Sequence, residues 1–305
     1  MFTGSTEKGK AEVKETPNLQ DCLNHWRTYG WLSGRGGDPP AVRSRSFRPS
    51  RIVPRLYLGA AKDVRVPWEL RERILPEKLL MIVSTCEPKG PPRLELRRFD
   101  SVAKGTKRVV RRVAVCQWEE LERNVVVCSP GGGCSFEEAT DLTTKWLRHA
   151  LLALSFPEGS GDEERPVADG AADSCDVACG DGTDIFRAGV YAKLCLPWED
   201  EKTFAVRPYF AVATALMHAV MEGLRGAVVC HCMAGRSRSA ALTCALLLYC
   251  CCNDATWVVG KEQTHARDIV QTVVEFIREA RLCVSPNEGF TRQLMDYARD
   301  LLSAG

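Results

Sequence analysis

The chain has 305 residues, 45% of them hydrophobic and 26% charged, with a formal net charge of +2. That length buries a sizeable core in one large domain or two small ones, and the composition is that of an ordinary soluble globular protein. The small net charge excludes binding to a polyanion, nucleic acid included, through bulk electrostatics. Fifteen cysteines are too sparse for a small disulfide scaffold, and their number is odd. The opening MFTGSTEKGKAEVKE has no apolar run and carries acids, which argues against a secretory signal or a transit peptide. The thiols therefore read as reduced, in the cytosol or nucleus.

Residues 1–47 lack sustained periodicity and run through GRGGDPP into the basic VRSRSFRPSR, the pattern of a disordered tail. A domain spans residues 48–305 by this reading. RIVPRLYLGA predicts a short strand and turn, and WELRERILPEKLLMIVSTCEP a short helix followed by a buried strand from about Leu79 to Cys86. Residues 89–188 break the pattern and read as an insertion. Lys89 to Arg112 holds nine basic and two acidic residues, and RVVRRVAVCQW and NVVVC suit added strands. The stretch from Ser135 predicts a helix, with Ser135 and Glu138 as a capping box and Phe136, Ala139, Leu142, Trp146, Ala150 and Leu154 as its apolar stripe. Glu158 to Asp184 has nine acidic residues, one Arg and no aromatic, so it is expected to be disordered. The basic half of the insertion pairs with this acidic half, or binds an acidic partner or a membrane surface; the insertion as a whole is expected to take no part in catalysis. The run DGAADSCDVACGDGTD lacks calcium-loop spacing, and Cys175 and Cys179 have no second half at zinc-finger spacing, so no metal or cofactor is expected.

From Val190 the pattern is compact again. VYAKLCLPWED reads as a strand ending in acid, RPYFAVATALMHAVMEG as a helix, and RGAVVCHC as an apolar strand of the parallel kind. SAALTCALLLYCCC is too short to span a bilayer and reads as a buried helix, with Cys250–Cys252 as core thiols in preference to lipidation sites. Two more amphipathic helices close the chain. Strands alternating with helices give an α/β fold: a central, mostly parallel twisted sheet flanked by helices.

The stretch VVCHCMAGRSRSAAL holds the chemistry. A strand–loop–helix junction gathers backbone N–H groups at the positive end of a helix dipole and so cradles an anion. A cysteine there ionises readily, and an arginine closing the loop offers two donors to a phosphate. Cys-x5-Arg alone is a weak signal, and the sequence contains it twice, as Cys230…Arg236 and Cys232…Arg238. The second frame puts Gly235 in mid-loop, where tight curvature needs it, and Ser239 where a hydroxyl reaches the sulfur. Cys230 is left as a core thiol. The reading is a phosphatase with Cys232 as nucleophile. Met233, Ala234, Gly235, Arg236, Ser237 and Arg238 bind phosphate, and His231 supports the loop. The leaving oxygen needs a proton, and Asp200, 32 residues before Cys232 in a loop ahead of a helix, is the candidate acid, flanked by Glu199 and Glu201.

HCMAGRSRS resembles the signature loop (P-loop) of the dual-specificity branch of the protein tyrosine phosphatases. IVPRLYLG resembles that family's first strand, LPWED its acid-bearing segment, and VSPNEGFTRQL its C-terminal P-N-x-G-F-x-x-Q-L. The matches fall in the family's order and cover about residues 48–88 and 190–305; the tail and the insertion lie outside them. The resemblance implies phosphorylated protein substrates, with phosphotyrosine and phosphoserine or phosphothreonine hydrolysed through a phosphocysteine. It also implies Asp200 as general acid and base, Asn287 as a support for the loop, and Cys86 as a redox partner for the nucleophile. Two alternatives stand beside it. One is a phosphoinositide or other small phosphoester as substrate, compatible with Arg236. The other is an inactive phospho-binding scaffold, which retention of the cysteine, the arginine and the acid disfavours.

Overall fold

The computed structural model describes residues 19–29, 49–65, 67, 70, 78–87, 90–101, 108–128, 133–153, 185, 189–253 and 265–303. In chain order the elements are α1 (Leu19–Tyr29), β1 (Ser50–Val53), β2 (Leu56–Ala60), β3 (Leu79–Ser84), β4 (Arg93–Ser101), β5 (Arg108–Gln117), α2 (Trp118–Asn124), α3 (Phe136–Ala153), β6 (Val190–Cys195), α4 (Arg207–His218), β7 (Ala227–Cys232), α5 (Arg238–Asn253), α6 (Ala266–Ala280) and α7 (Glu288–Ser303). One seven-stranded sheet runs β1-β2-β7-β3-β6-β4-β5. The inner strands β2, β7, β3 and β6 are parallel, while β1 at one edge and β4 and β5 at the other are antiparallel to their neighbours.

Parallel strands are covered on both faces, so they read as unbroken apolar runs. Every residue of β3 (LLMIVS) and of β7 (AVVCHC) is buried. The helix α5 is buried from Ser239 to Cys251, with α4, α6 and α7 packed around it. Cys250 and Cys251 fill this core and Cys252 lies at its margin. Among the described residues no helix is long and apolar enough to cross a membrane. A smaller cluster, including Val64, Leu79, Phe99, Tyr191 and Val229, lies apart from this main core.

Four local expectations are corrected. The stretch 1–47 is not all tail. Residues 19–29 form α1, whose Leu23 and Trp26 are 0% and 1% exposed, and whose Arg27 guanidinium lies 4.0 Å from the Phe276 ring centroid on α6. The rest of that stretch, and nearly all of the short helix expected before β3, lie outside the described residues, and β3 itself ends at Ser84, short of Cys86. NVVVC does not form a strand, because Thr143 takes its backbone groups: Val126 N–H donates to Thr143 Oγ1 (3.0 Å), and that hydroxyl contacts Val126 O (3.3 Å). On α3 the Ser135 cap is present, accepting Glu138 N–H at 3.1 Å. The buried line, however, runs through Ala139, Thr143, Thr144, Leu147 and Leu151 and leaves Leu142 43% exposed. Two threonines that hydrogen-bond inward rotate the stripe away from the one that hydrophobicity alone predicts.

The insertion extends the sheet. β4, unforeseen in the sequence, pairs with β6 from Arg93↔Cys195 to Arg98↔Val190, and β5 pairs outside it. Three of the nine basic residues of the insertion's basic half, Arg93, Arg97 and Arg112, converge on Glu95, which is 1% exposed. Its carboxylate accepts Arg93 Nε (2.9 Å) and Arg97 Nε (3.0 Å), with Arg112 Nη1 3.6 Å away. Burial pushes the carboxyl upward, but the two nearer arginines overcome this and hold it at about 2. The acidic segment Glu158–Asp184 and its cysteines lie outside the described residues.

Candidate active site

β7 delivers both cysteines of the motif. Cys230 is 0% exposed, donates to Ser239 O at 3.6 Å, and burial drives its thiol far above the ordinary range. It is a core thiol. Cys232, two residues on, is at the strand's end and the opening of the loop into α5. Its Sγ accepts Gly235 N–H and the Ser239 hydroxyl, each at 3.2 Å. Burial pushes this thiol up as well, but the Ser239 hydroxyl and the amides of Ser239, Arg236 and Gly235 outweigh it, and the net shift is downward. Of the two frames, the second places its sulfur within hydrogen-bond reach of the loop amide and the Ser239 hydroxyl. Gly235 has φ +65, and a Cβ there would stand 2.3 Å from Gly59 O, so the turn admits no side chain.

Around the loop Met233, Ala234 and Arg236 are exposed, while Gly235 and Ser237 are buried. Arg238 Nη1 donates to Trp198 O (3.0 Å), and Nε lies 3.7 Å from Asp200 Oδ2. That Nε is buried with no hydrogen-bond partner among the described residues, a donor that a bound phosphate oxygen would engage. Asp200 follows β6 as expected, its side chain 41% exposed. Its Oδ1 accepts the Ser237 hydroxyl (2.6 Å) and Asn287 Nδ2 (3.1 Å). The loop serine, the acid and Asn287 thus form one hydrogen-bonded group.

The C-terminal motif has a physical reading in these contacts. Asn287 Oδ1 caps α7 by accepting Phe290 N–H (3.0 Å), which frees its amide for Asp200. A Cβ on Gly289 would fall 1.8 Å from Lys202 O, so the glycine admits the acid-bearing loop. Gln293 Oε1 accepts Val206 N–H (2.7 Å) and Arg207 N–H (2.9 Å), while its Nε2 donates to Phe204 O (2.8 Å), tying that loop and the start of α4 to α7.

His231 is 6% exposed; burial first and Lys193 second hold its imidazole at about 4, so it is neutral near pH 7. Its carbonyl accepts Thr85 N–H (2.9 Å) and the Thr85 hydroxyl (3.1 Å), which locks the end of β7 to the segment after β3. Cys86, on that segment, is a half-buried free thiol within electrostatic reach of Cys232 and Arg238, and burial raises it above the ordinary range. Among the described residues no three His, Cys, Asp or Glu side chains group as metal ligands would. Sequence reasoning missed Ser237 as the bridge to the acid, Gln293 as the anchor of its loop, and Asp63 and Arg281 behind the loop. Gln293 carried a signal in the C-terminal motif and Ser237 in the signature loop, though not its bond to the acid; Asp63 and Arg281 carried none.

Residues 176–300 match the family model described as dual specificity phosphatase, catalytic domain. The chain is 30% identical over 115 residues to human dual specificity protein phosphatase 4, an alignment covering 38% of this chain and 25% of that protein. It is 29% identical over 106 residues to Xenopus tropicalis dual specificity protein phosphatase 22, covering 35% and 43%. The chain thus spans about a quarter of the length of the first of these relatives. A crystal structure of human DUSP28 aligns with a TM-score of 0.41 at 15% identity, covering 84% of this chain and 99% of that one.

Proposed function

We propose that residues 176–300, a dual specificity phosphatase catalytic domain, hydrolyse phosphotyrosine and phosphoserine or phosphothreonine in protein substrates through a phosphocysteine on Cys232. The observation that carries this reading is the sulfur of Cys232, seated at the N-terminus of α5 where it accepts Gly235 N–H and the Ser239 hydroxyl, each at 3.2 Å. The substrate dianion binds the amides of residues 233–238, and Arg238 turns from Trp198 O to two phosphate oxygens. Cys232 attacks phosphorus as the leaving oxygen departs in line, and Asp200 gives that oxygen its proton. Asp200, now a carboxylate, takes a proton from the water that attacks the phosphocysteine, and Ser239 donates to the sulfur that leaves.

A phosphoinositide or other small phosphoester is the second reading, favoured by exposed Arg236 beside exposed Met233 at the loop. In a reducing cytosol or nucleus, where we place the protein, the thiolate persists. Cys86 then serves as its redox partner: peroxide converts the Cys232 thiolate to a sulfenic acid, and the Cys86 thiol displaces water to form the disulfide.

The test is hydrolysis of p-nitrophenyl phosphate by wild type, Cys232→Ser, Cys230→Ser and Asp200→Ala, with and without chelator, followed by phosphopeptides against phosphoinositides. Loss in Cys232→Ser, a roughly 100- to 10,000-fold fall in Asp200→Ala and retention in Cys230→Ser are expected. Folded protein inactive in every form refutes the catalytic reading, and turnover of phosphoinositide alone selects the second one.

A further inference from the structure

A loop that turns its amides toward one sulfur must turn its carbonyls outward, and each of those carbonyls needs a donor. Met233 O accepts Ala61 N–H (3.3 Å), Arg236 O accepts Ser285 N–H (2.8 Å), and Ser237 O accepts Ala241 N–H (2.8 Å) in the first turn of α5. The two carbonyls between them share one guanidinium, with Cys283 Sγ a more distant 4.0 Å from Gly235 O. Arg281, which follows α6, donates from Nη2 to Ala234 O (3.1 Å) and from Nε to Gly235 O (2.9 Å). An arginine at a helix end ordinarily serves its own helix's last carbonyls; this one crosses to another segment. Its Nη2 is 4.0 Å from Asp63 Oδ2, the oxygen that also accepts Ala60 N–H at 2.8 Å. A Cβ on residue 235 would come within 2.8 Å of that same Nη2, so Gly235 leaves room for the guanidinium as well as for the turn.

Because a trans peptide is planar, its C=O and the following N–H point in opposite directions. Ala234 O outward sets Gly235 N–H inward, and Gly235 O outward sets Arg236 N–H inward. Those two N–H groups are among the donors to Cys232 Sγ. Arg281 therefore grips two of the peptide units that serve the sulfur.

We propose that Arg281, held by Asp63, is a positioning residue: its fork fixes the 234–235 and 235–236 peptide units so that their N–H groups meet the nucleophile and the transferred phosphoryl group. The proposal rests on Cys232 being the reactive thiol. Its test uses Arg281→Ala, Arg281→Lys and Asp63→Asn with Cys283 left in place, because that exposed thiol itself lies 4.0 Å from Gly235 O; its alkylation is separated from that of Cys232 by peptide mapping. The rate of Cys232 alkylation by iodoacetamide is followed against pH by mass spectrometry, together with kcat and KM for p-nitrophenyl phosphate, inhibition by inorganic phosphate, and thermal melting.

Arg281→Ala should move the midpoint of the alkylation profile to higher pH, weaken phosphate inhibition and lower kcat/KM by about 10- to 100-fold. Arg281→Lys should recover part of each, since one ammonium reaches one carbonyl. Asp63→Asn should move the profile in the same direction by less. A lowered melting temperature with an unmoved alkylation profile in Arg281→Ala overturns the proposal. If that variant does not fold, an unmoved profile in Arg281→Lys overturns it instead. Should the wild type hydrolyse no phosphate ester, the proposed reaction fails, while the alkylation profile, which needs no turnover, still decides the role of Arg281.

Discussion

Replacing Ser239 with alanine removes a single hydroxyl from a fully buried position, 3.2 Å from Cys232 Sγ. A hydrogen bond to a charged group contributes about 1.5–3 kcal/mol, and about 1.4 kcal/mol is a tenfold change in an ionisation equilibrium. The thiol is lowered against its burial, so losing a donor raises it. At pH values below its titration the thiolate population should fall roughly 10- to 100-fold, and the acid limb of kcat/KM for p-nitrophenyl phosphate should move to higher pH by the corresponding amount. At alkaline pH the first step should approach the wild-type rate. The second step should not, because the sulfur leaves phosphorus without its donor. Phosphocysteine then accumulates, and stopped-flow traces should show a burst of p-nitrophenolate ahead of a slow steady state. An acid limb that coincides with the wild type's refutes the view that Ser239 tunes this sulfur.

Further outcomes follow from the packing. Glu95 titrates near 2 in the folded protein against an ordinary 4.5, so its ionic contribution is fully present above pH 4.5 and fades as pH falls toward 2. Glu95→Gln should therefore lose up to about 3 kcal/mol of unfolding free energy at pH 7 in denaturant titrations and less than half of that near pH 3; an equal loss at both refutes the assignment. Trp26→Ala should destabilise the domain by about 3–5 kcal/mol, whereas a change within about 0.5 kcal/mol would mean that α1 is undocked. Gly235→Ala, with its methyl 2.3 Å from Gly59 O, should leave circular dichroism unchanged yet lower p-nitrophenyl phosphate turnover roughly 100-fold; near-normal turnover would show that the turn tolerates a side chain.

The reactive end of the sheet was legible because its physics is local. A buried apolar strand, a glycine at positive φ and a helix follow one another within a few residues, and they distinguish Cys232 from Cys230 without tertiary information. The order of strand, loop and helix pointed only to the run Glu199–Glu201, and it was the resemblance of LPWED that singled out Asp200 within it. The elements that escaped depend on partners far along the chain. The helix α1 is short, and its buried Cys22, Leu23 and Trp26 find their cover on β1 and α6. The alternation of β4, RLELRRFDS, is hidden by arginines that became legible only once Glu95 lay between them. Arg281 reads as an ordinary charged helix end; its worth depends on two carbonyls 46 and 47 residues earlier in the chain.

The position of the β4–β5 hairpin bears on how the chain reaches this fold. β3 and β6 are neighbours in the sheet, with Met81 beside Ala192, yet roughly 110 residues of chain separate them. Closing so long a loop costs little more at equilibrium than closing one half as long, about 0.6 kcal/mol, but the long search delays the contact. The hairpin closes over a few residues and presents β4 as a ready edge for β6. If that edge captures β6 early, amides of β4 and β5 gain hydrogen-exchange protection before those of β3 during refolding. Simultaneous protection would mean that the whole sheet condenses in one step.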